Sequence, residues 1–417
     1  MTERPGVSDN ESLIRGYGGQ VFLAVALGVL VINLGRHALP PLLPAITTDL
    51  AITSAAAGIG FTLMRVWYAL FQYPSGRVAD VASRILAIQV GLVVLVVGFI
   101  LLAVTGSYAW FLVSMSLIGV GSAWFFVSER ILLSDLFVHK RGRSFGFMSA
   151  ASQFGSILAA GLAVVVLAMW SWQYAFGPVL VLLLVLVIAF HWISRERYEL
   201  QALAAFGERQ GALRETAVRV FATGEIRLLV LAYTLIIFVW EGVLAFLPTY
   251  LAVSKDFPLA IASGGFAALF AVGIVVQPVA GSLSDRWDRR LVGLLATMAS
   301  MAGLGLIVYV TNTMGILVGI VLYAAGLMAF TPVMQAHLLD VFPKDSKGGD
   351  LGAFKTIYEG LSSVGPAYVG IVAGVAGFSV AFGSLLVCLI VSAVLIGWLW
   401  VRGADVGPIS ARPQGRS

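Results

Sequence analysis

Charge is scarce in this chain of 417 residues: Asp, Glu, Lys and Arg make up 11% of it, against 59% hydrophobic residues. Soluble domains carry about a quarter of their residues charged, so a water-facing globule is excluded. Cysteine is almost absent, and the single Cys388 rules out an internal disulfide and a cysteine metal site. No Cys/His metal spacing, no phosphate-binding Gly-Lys loop and no nucleophile elbow occurs. An enzyme or an ATP-driven machine therefore finds no support, and no metal or cofactor is expected. A cleavable signal peptide is not evident either, because the polar start, residues 1–20, runs into a full-length apolar span. Long polar stretches are lacking too, apart from 195–225, whose mixed charges suit a solvated, partly helical linker.

What the chain has in quantity is apolar segments of about 20 residues, enough to cross a hydrocarbon core. Twelve recur: 20–46, 53–76, 85–105, 108–135, 144–169, 174–194, 226–251, 258–281, 290–311, 314–339, 350–374 and 377–401. Lys and Arg fall on one side of them. Arg4 and Arg15 lie in the first tail, Arg77 and Arg84 after span two, and Lys140, Arg141 and Arg143 after span four. Six arginines lie in the middle loop; more follow spans eight and ten and fill the last tail, while the opposite loops hold only Lys255. The positive-inside bias then places both termini and the middle loop in the cytoplasm. The net charge of +5 reads as topology and gives no reason to expect nucleic acid. The expected layout is a tail at 1–19, a six-helix bundle at 20–194, a linker at 195–225, a second bundle at 226–401 and a tail at 402–417.

The chain also repeats itself. Gln72, Gly76, Asp80 and Arg84 at the end of span two recur as Gln277, Gly281, Asp285 and Arg289 at the end of span eight, all at an offset of 205. Asp135 after span four recurs as Asp340 at the same offset. A self-match of this kind in a chain of apolar helices means a duplicated membrane bundle, an architecture of transporters that rock two halves about a central site.

The two loops, Gly-x-x-x-Asp-x-x-x-Arg, resemble the signature of the major facilitator superfamily, and the stretch from Asp135 to Arg141-Gly142-Arg143 is similar to its loop between spans four and five. The resemblance covers essentially the whole chain. It implies an all-α membrane protein, twelve transmembrane helices in two pseudo-symmetric six-helix halves, in the cell membrane and working by alternating access; a monomer is expected. It also implies a cytoplasmic gate of Gly76, Asp80, Arg84, Asp135, Gly281, Asp285, Arg289 and Asp340, with small residues allowing close helix approach and the charges latching the halves together. The alternative is that these charges only fix topology. The antiporter Gly-Pro signature is missing from span five, which reads Ser152-Gln153-Phe154-Gly155-Ser156-Ile157; a Gly365-Pro366 pair stands in span eleven instead.

A charge in the membrane costs several kcal/mol unless paired or hydrated, so embedded ionisable residues are functional candidates. They are Arg36, Arg65, Arg130 and Lys355 against Glu129, Glu241 and Glu359, one positive charge in excess. Arg36 and Glu241 occupy equivalent positions at the 205 offset, on opposite walls of one cavity or paired as a structural salt bridge. Position 270, the counterpart of Arg65, is Phe, so Arg65 is expected to lack an acidic partner and to take an anionic substrate with its forked guanidinium. Glu241 and Glu359 have the depth to carry a coupling proton, although Lys355 and Glu359, four residues apart, could be a structural pair. His37 beside Arg36 could shuttle protons or simply hydrogen-bond.

Trp67, Trp124, Trp240 and Tyr358, with Tyr68 and Phe125, stand at cavity depth and are expected to include substrate contacts. Proline breaks the backbone ladder, so unwound backbone is expected at Pro40, Pro41, Pro44 and Pro248. The leading reading is a secondary transporter of a small organic anion, carboxylate-like, coupled to protons. The second is proton-coupled export of amphipathic organic compounds or drugs.

Overall fold

The computed structural model describes residues 13, 15–81, 83–194, 224–341 and 347–405, and among them every regular element is helical. The first half comprises α1 (Gly16–Asp49), α2 (Ser54–Val81), α3 (Arg84–Ala103), α4 (Tyr108–Leu136), α5 (Arg141–Met169), a 3-10 turn (Trp172–Ala175) and α6 (Phe176–Ser194). The second half comprises α7 (Gly224–Ser254), α8 (Leu259–Ser284), α9 (Arg289–Tyr309), α10 (Thr313–Val341), α11 (Lys347–Ser362), α12 (Gly365–Ala376) and α13 (Phe378–Asp405). Among the described residues eleven helices are long and apolar enough to cross a membrane, the 3-10 turn counted with α6. Residues 195–223, most of the expected linker, lie outside the described residues, as do most of the tails expected at 1–19 and 402–417.

The eleventh crossing, expected as one span over 350–374, is two helices of 16 and 12 residues. Pro366 has no N–H to return to the Ser362 carbonyl, so the ladder stops there and restarts with Pro366 in the first turn of α12. The breaks expected in the first and seventh crossings do not occur. Helix α1 runs unbroken through Pro40, Pro41 and Pro44, and α7 through Pro248. Those prolines sit in the tightly enclosed parts of their helices (Pro40, Pro41 and Pro248 are buried), where neighbouring helices hold the backbone in line.

The duplication seen in the sequence reappears in the packing. A Cβ on Gly121 of α4 would meet the Gly91 carbonyl of α3 at 2.8 Å, and one on Gly326 of α10 would meet the Ala296 carbonyl of α9 at 2.3 Å. Both pairs are related by the same 205-residue step. Only hydrogen fits there, and the two helix pairs pack backbone to backbone. Outward faces are apolar: Val93, Val97 and Ile100 on α3, and Val181, Leu184, Val185 and Ile188 on α6, are exposed where lipid tails would lie. Trp170 and Tyr174 at one end of this surface and Trp192 at the other are placed for the two membrane interfaces.

The two ends of the bundle differ. One, the charged end, carries the turns after α2, α4 and α8 with their Arg and Asp residues. At the other end the halves are sealed where α2 packs on α12. A Cβ on Gly370 would stand 2.3 Å from the Ser54 carbonyl oxygen, and one on Gly58 would stand 2.5 Å from that of Pro366. Thr62 Oγ1 accepts a hydrogen bond from the Ala367 amide at 3.0 Å, and so stitches α2 to the first turn of α12.

Candidate functional site: a cavity between the halves

Between the halves lies a cavity of about 360 Å³, walled by α1, α2, α4 and α5 on one side and by α7, α10 and α11 on the other. The first wall contributes Asn33, Arg36, Arg65, Tyr68, Phe126, Arg130 and Ser152. The second contributes Ile237, Trp240, Glu241, Thr331, Gln335, Lys355, Tyr358, Glu359, Ser362 and Ser363. Toward the sealed end it narrows into a hollow of about 20 Å³ behind Arg36, Arg65 and Glu241, closed by Pro40, Phe61, Met64 and Pro366. The volume suits a small molecule.

The side chains fall there because of helical spacing. Arg65 and Tyr68 on α2, Phe126 and Arg130 on α4, and Lys355, Tyr358, Glu359 and Ser362 on α11 stand three or four residues apart, each set on one face. The same rule removes two expected residues. Trp67 lies two positions from Arg65 and Trp124 two from Phe126, about 200° round their helices, and neither lines the cavity. The Trp124 Cβ instead points at Gly91 of α3, and the Trp67 ring packs against Phe71. Of the expected aromatics, Tyr68, Trp240 and Tyr358 do line the cavity, while Phe125 is buried against Gly28 of α1. Asn33, Phe126, Ser152, Thr331 and Gln335 were not foreseen, although one-turn spacing from Arg36 and Arg130 marks Asn33 and Phe126.

The ionic arrangement differs from the expected one. Arg65 does not lack a carboxylate: its Nε lies 2.6 Å from Glu241 Oε2, an ion pair that joins α2 to α7 across the halves. Equivalent positions in a repeat both face the central axis, but that does not dictate which of two cations at one depth turns toward the carboxylate. Arg36, the repeat partner of Glu241, is the cation left over. It is buried to 6% exposure, its guanidinium carbon lies 5.5 Å from the Tyr68 ring centre and 5.9 Å from that of Phe126, and its Nε has no hydrogen-bond partner. No carboxylate among the described residues is within ion-pair distance of it.

Glu359 is doubly held. Gln72 Nε2 donates to its Oε2 at 2.7 Å from the other half, and Lys355 Nζ lies 3.4 Å from its Oε1. His37 Nδ1 lies 2.7 Å from Ser156 Oγ, whose own proton goes to the Ser152 carbonyl at 2.8 Å. The ring nitrogen is therefore the donor, and Nε2 keeps its lone pair while the imidazole is neutral.

At the charged end Arg84 Nη2 lies 2.7 Å from Asp135 Oδ2, and Arg289 contacts Asp340 and, at 3.6 Å, Asp285. Each cluster closes within one half, and the expected latch between halves is not formed by them. The Asp80 side chain lies outside the described residues. Gly76 and Gly281 do not mark close helix approach: a Cβ on Gly76 would touch only Val127, at an ordinary 3.4 Å, and one on Gly281 would meet nothing within 4 Å. Lys255, the one cation of the opposite loops, donates to the carbonyls of Val308 and Val310 at 2.8 and 2.9 Å, and partial burial lowers its pKa. It caps the end of α9, a structural use that leaves the charge asymmetry of the loops intact.

Comparison with known proteins bears on the fold. The sequence profile of the Major Facilitator Superfamily matches residues 25–366 and 273–417. A bacterial homologue of the human lysosomal transporter Spinster, solved inward-facing and unoccupied, superposes with a TM-score of 0.76 at 16% identity, over 95% of this chain and 99% of that one. A D-xylose–proton symporter gives 0.75 at 16% identity, over 92% and 98%. A nucleoside transporter gives 0.75 at 14% identity, over 91% and 100%.

Proposed function

Because this chain belongs to the Major Facilitator Superfamily, and is therefore a multi-pass membrane transporter rather than an enzyme, we propose that it moves a small organic anion, carboxylate-like, by alternating access with proton coupling. The observation that carries this reading is Arg36. A guanidinium at mid-membrane with an unbonded Nε and no carboxylate beside it is a costly thing to keep unless something brings the partner. An anion entering the cavity does so. The charge balance of the walls agrees: Arg36, Arg65, Arg130 and Lys355 face Glu241 and Glu359, which leaves the cavity cationic.

The coupling proposal rests on the Arg65–Glu241 pair. It spans the halves, so protonating Glu241 would release a cross-link that holds one state closed. The orientation proposal rests on the basic loops: with the charged end in the cytoplasm of the cell membrane, the cavity opens inward and the seal of α2 on α12 faces outside. One chain supplies both walls, and a monomer is sufficient for the work.

The test is ligand-induced thermal shift of the purified protein with small carboxylates. Arg36→Gln should abolish the shift, and Arg36→Lys should weaken it by about tenfold or more, because a point charge does not reproduce the fork. Undiminished binding by Arg36→Gln would remove the anion reading. A second reading, export of amphipathic compounds, is favoured by the aromatic lining of Tyr68, Phe126, Trp240 and Tyr358. Shifts with cationic amphiphiles and none with carboxylates would decide for it.

A further inference from the structure

The cavity holds a second unmatched cation. Arg65 is paired with Glu241 and Lys355 with Glu359, but Arg130, exposed to the cavity space, has no carboxylate within ion-pair distance among the described residues. Its nearest acidic neighbours are otherwise engaged. Glu359 is held by Gln72 and Lys355, and Glu129, the adjacent residue, is buried at 3% exposure on a face of α4 that does not line the cavity. Both unmatched cations belong to the first half, and they stand at different levels. Arg36 sits against the Phe126 ring, while Arg130 follows Phe126 by four residues, one turn of α4, about 6 Å nearer the charged end. Between them Tyr68 presents its ring to Arg36 and lines the same wall. The facing wall offers hydroxyl and amide groups, Thr331, Gln335, Ser362 and Ser363, which can hydrogen-bond a polar ligand without adding charge.

A ligand with one acidic group satisfies one of these cations and leaves the other facing the cavity without an anionic partner. We propose that the transported anion carries two acidic groups separated by about one helical turn, one bound by Arg36 and the other by Arg130. This rests on the anion reading above and narrows it to a substrate class, dicarboxylates and acids of similar spacing. A compact dianion such as inorganic phosphate carries the charge without the reach, and binds at one of the two points.

The experiment compares affinities on the full-length purified protein by isothermal titration, with succinate, glutarate and adipate against butyrate, pentanoate and hexanoate, and with inorganic phosphate. The expected result is that at least one dicarboxylate binds ten times or more tightly than the monocarboxylate of its own length, and more tightly than phosphate. Arg130→Gln should collapse that ratio to near one, and Arg130→Lys, which keeps the charge, should retain a ratio well above one. The retained ratio separates charge recognition from a general loss of folding. Equal affinities for di- and monocarboxylates in the parent would overturn the two-point proposal and leave the single-anion reading standing, as would an unchanged ratio in Arg130→Gln. Tightest binding by phosphate would replace it with a compact dianion. If none of the anions binds, both readings fall together.

Discussion

The sealed end and the charged end of this bundle hold themselves together by opposite means. At the sealed end the two halves meet through backbone: Gly58 and Gly370 let α2 and α12 approach until only hydrogen fits, and one hydrogen bond from Ala367 to Thr62 crosses the gap. At the charged end ion pairs abound, but Arg84–Asp135 and Arg289–Asp340 each stay within one half. Close packing is all-or-none with distance, whereas exposed ion pairs are soft and worth little. Contact between the halves is thus mostly close packing, of α2 on α12 and of α5 on α8, and the charges that mark the family signature stay within each half. Arg65–Glu241 and Gln72–Glu359, deep in the cavity, do put charged groups across the interface.

That contrast can be broken at three places, with effects of decreasing size. Glu241→Gln leaves Arg65 enclosed without its partner. The pair is 19% and 11% exposed, so the loss should be about 3 kcal/mol, the low end for a buried pair, seen as a clear drop in thermal midpoint. Adding Arg65→Gln should recover most of it. In vesicles the single variant should keep exchange and lose accumulation driven by a pH gradient, since only the latter needs net proton movement. Parent-like accumulation would remove Glu241 as the proton carrier.

The seal comes next. Gly370→Val sets a side chain against the Ser54 carbonyl, which is backbone and yields poorly, so the sealed state should lose about 1–3 kcal/mol. Spin labels placed on α2 and α12 in a Cys388→Ser background should report longer separations. Distances like the parent's would mean that the contact is slack.

The smallest effect is expected at Arg84→Gln. Its pair with Asp135 is more than 40% exposed on both sides, which sets the contribution at about 1 kcal/mol or less. Label distances between the two halves should not change. A marked redistribution would show that the cluster does act between halves, and would restore the latch that the signature implies.

Much of the architecture is legible in the sequence, because bilayer thickness fixes span length and duplication fixes an offset. The 205-residue step aligns Asp135 with Asp340, and the structure repeats the Gly121–Gly91 contact as Gly326–Ala296 at the same step. The depth of Arg36, Arg65 and Glu241 is readable too, since rise per residue is constant. What depth does not contain is azimuth and reach. Trp67 and Trp124 stand at the right level on the wrong faces, and the choice of Arg65 over Arg36 as the partner of Glu241 is made by long side chains within a few ångströms of each other. Proline content likewise misleads without context. Three prolines in an enclosed α1 leave the helix whole, whereas Gly365-Pro366 breaks the eleventh crossing, where Gly365 presses on the Phe238 carbonyl of α7.

That interruption gives the second half an elbow. α12 rests on α2 at the seal, and α11 carries Lys355, Tyr358 and Glu359 along the cavity wall. The turn at Ser363 and Val364 joins the two arms, and Ser363 still bonds back to the Glu359 carbonyl, so the arms meet at a single short joint. The residues of the cavity wall and those of the seal are thus neighbours along one stretch of chain, covalently linked across a single turn.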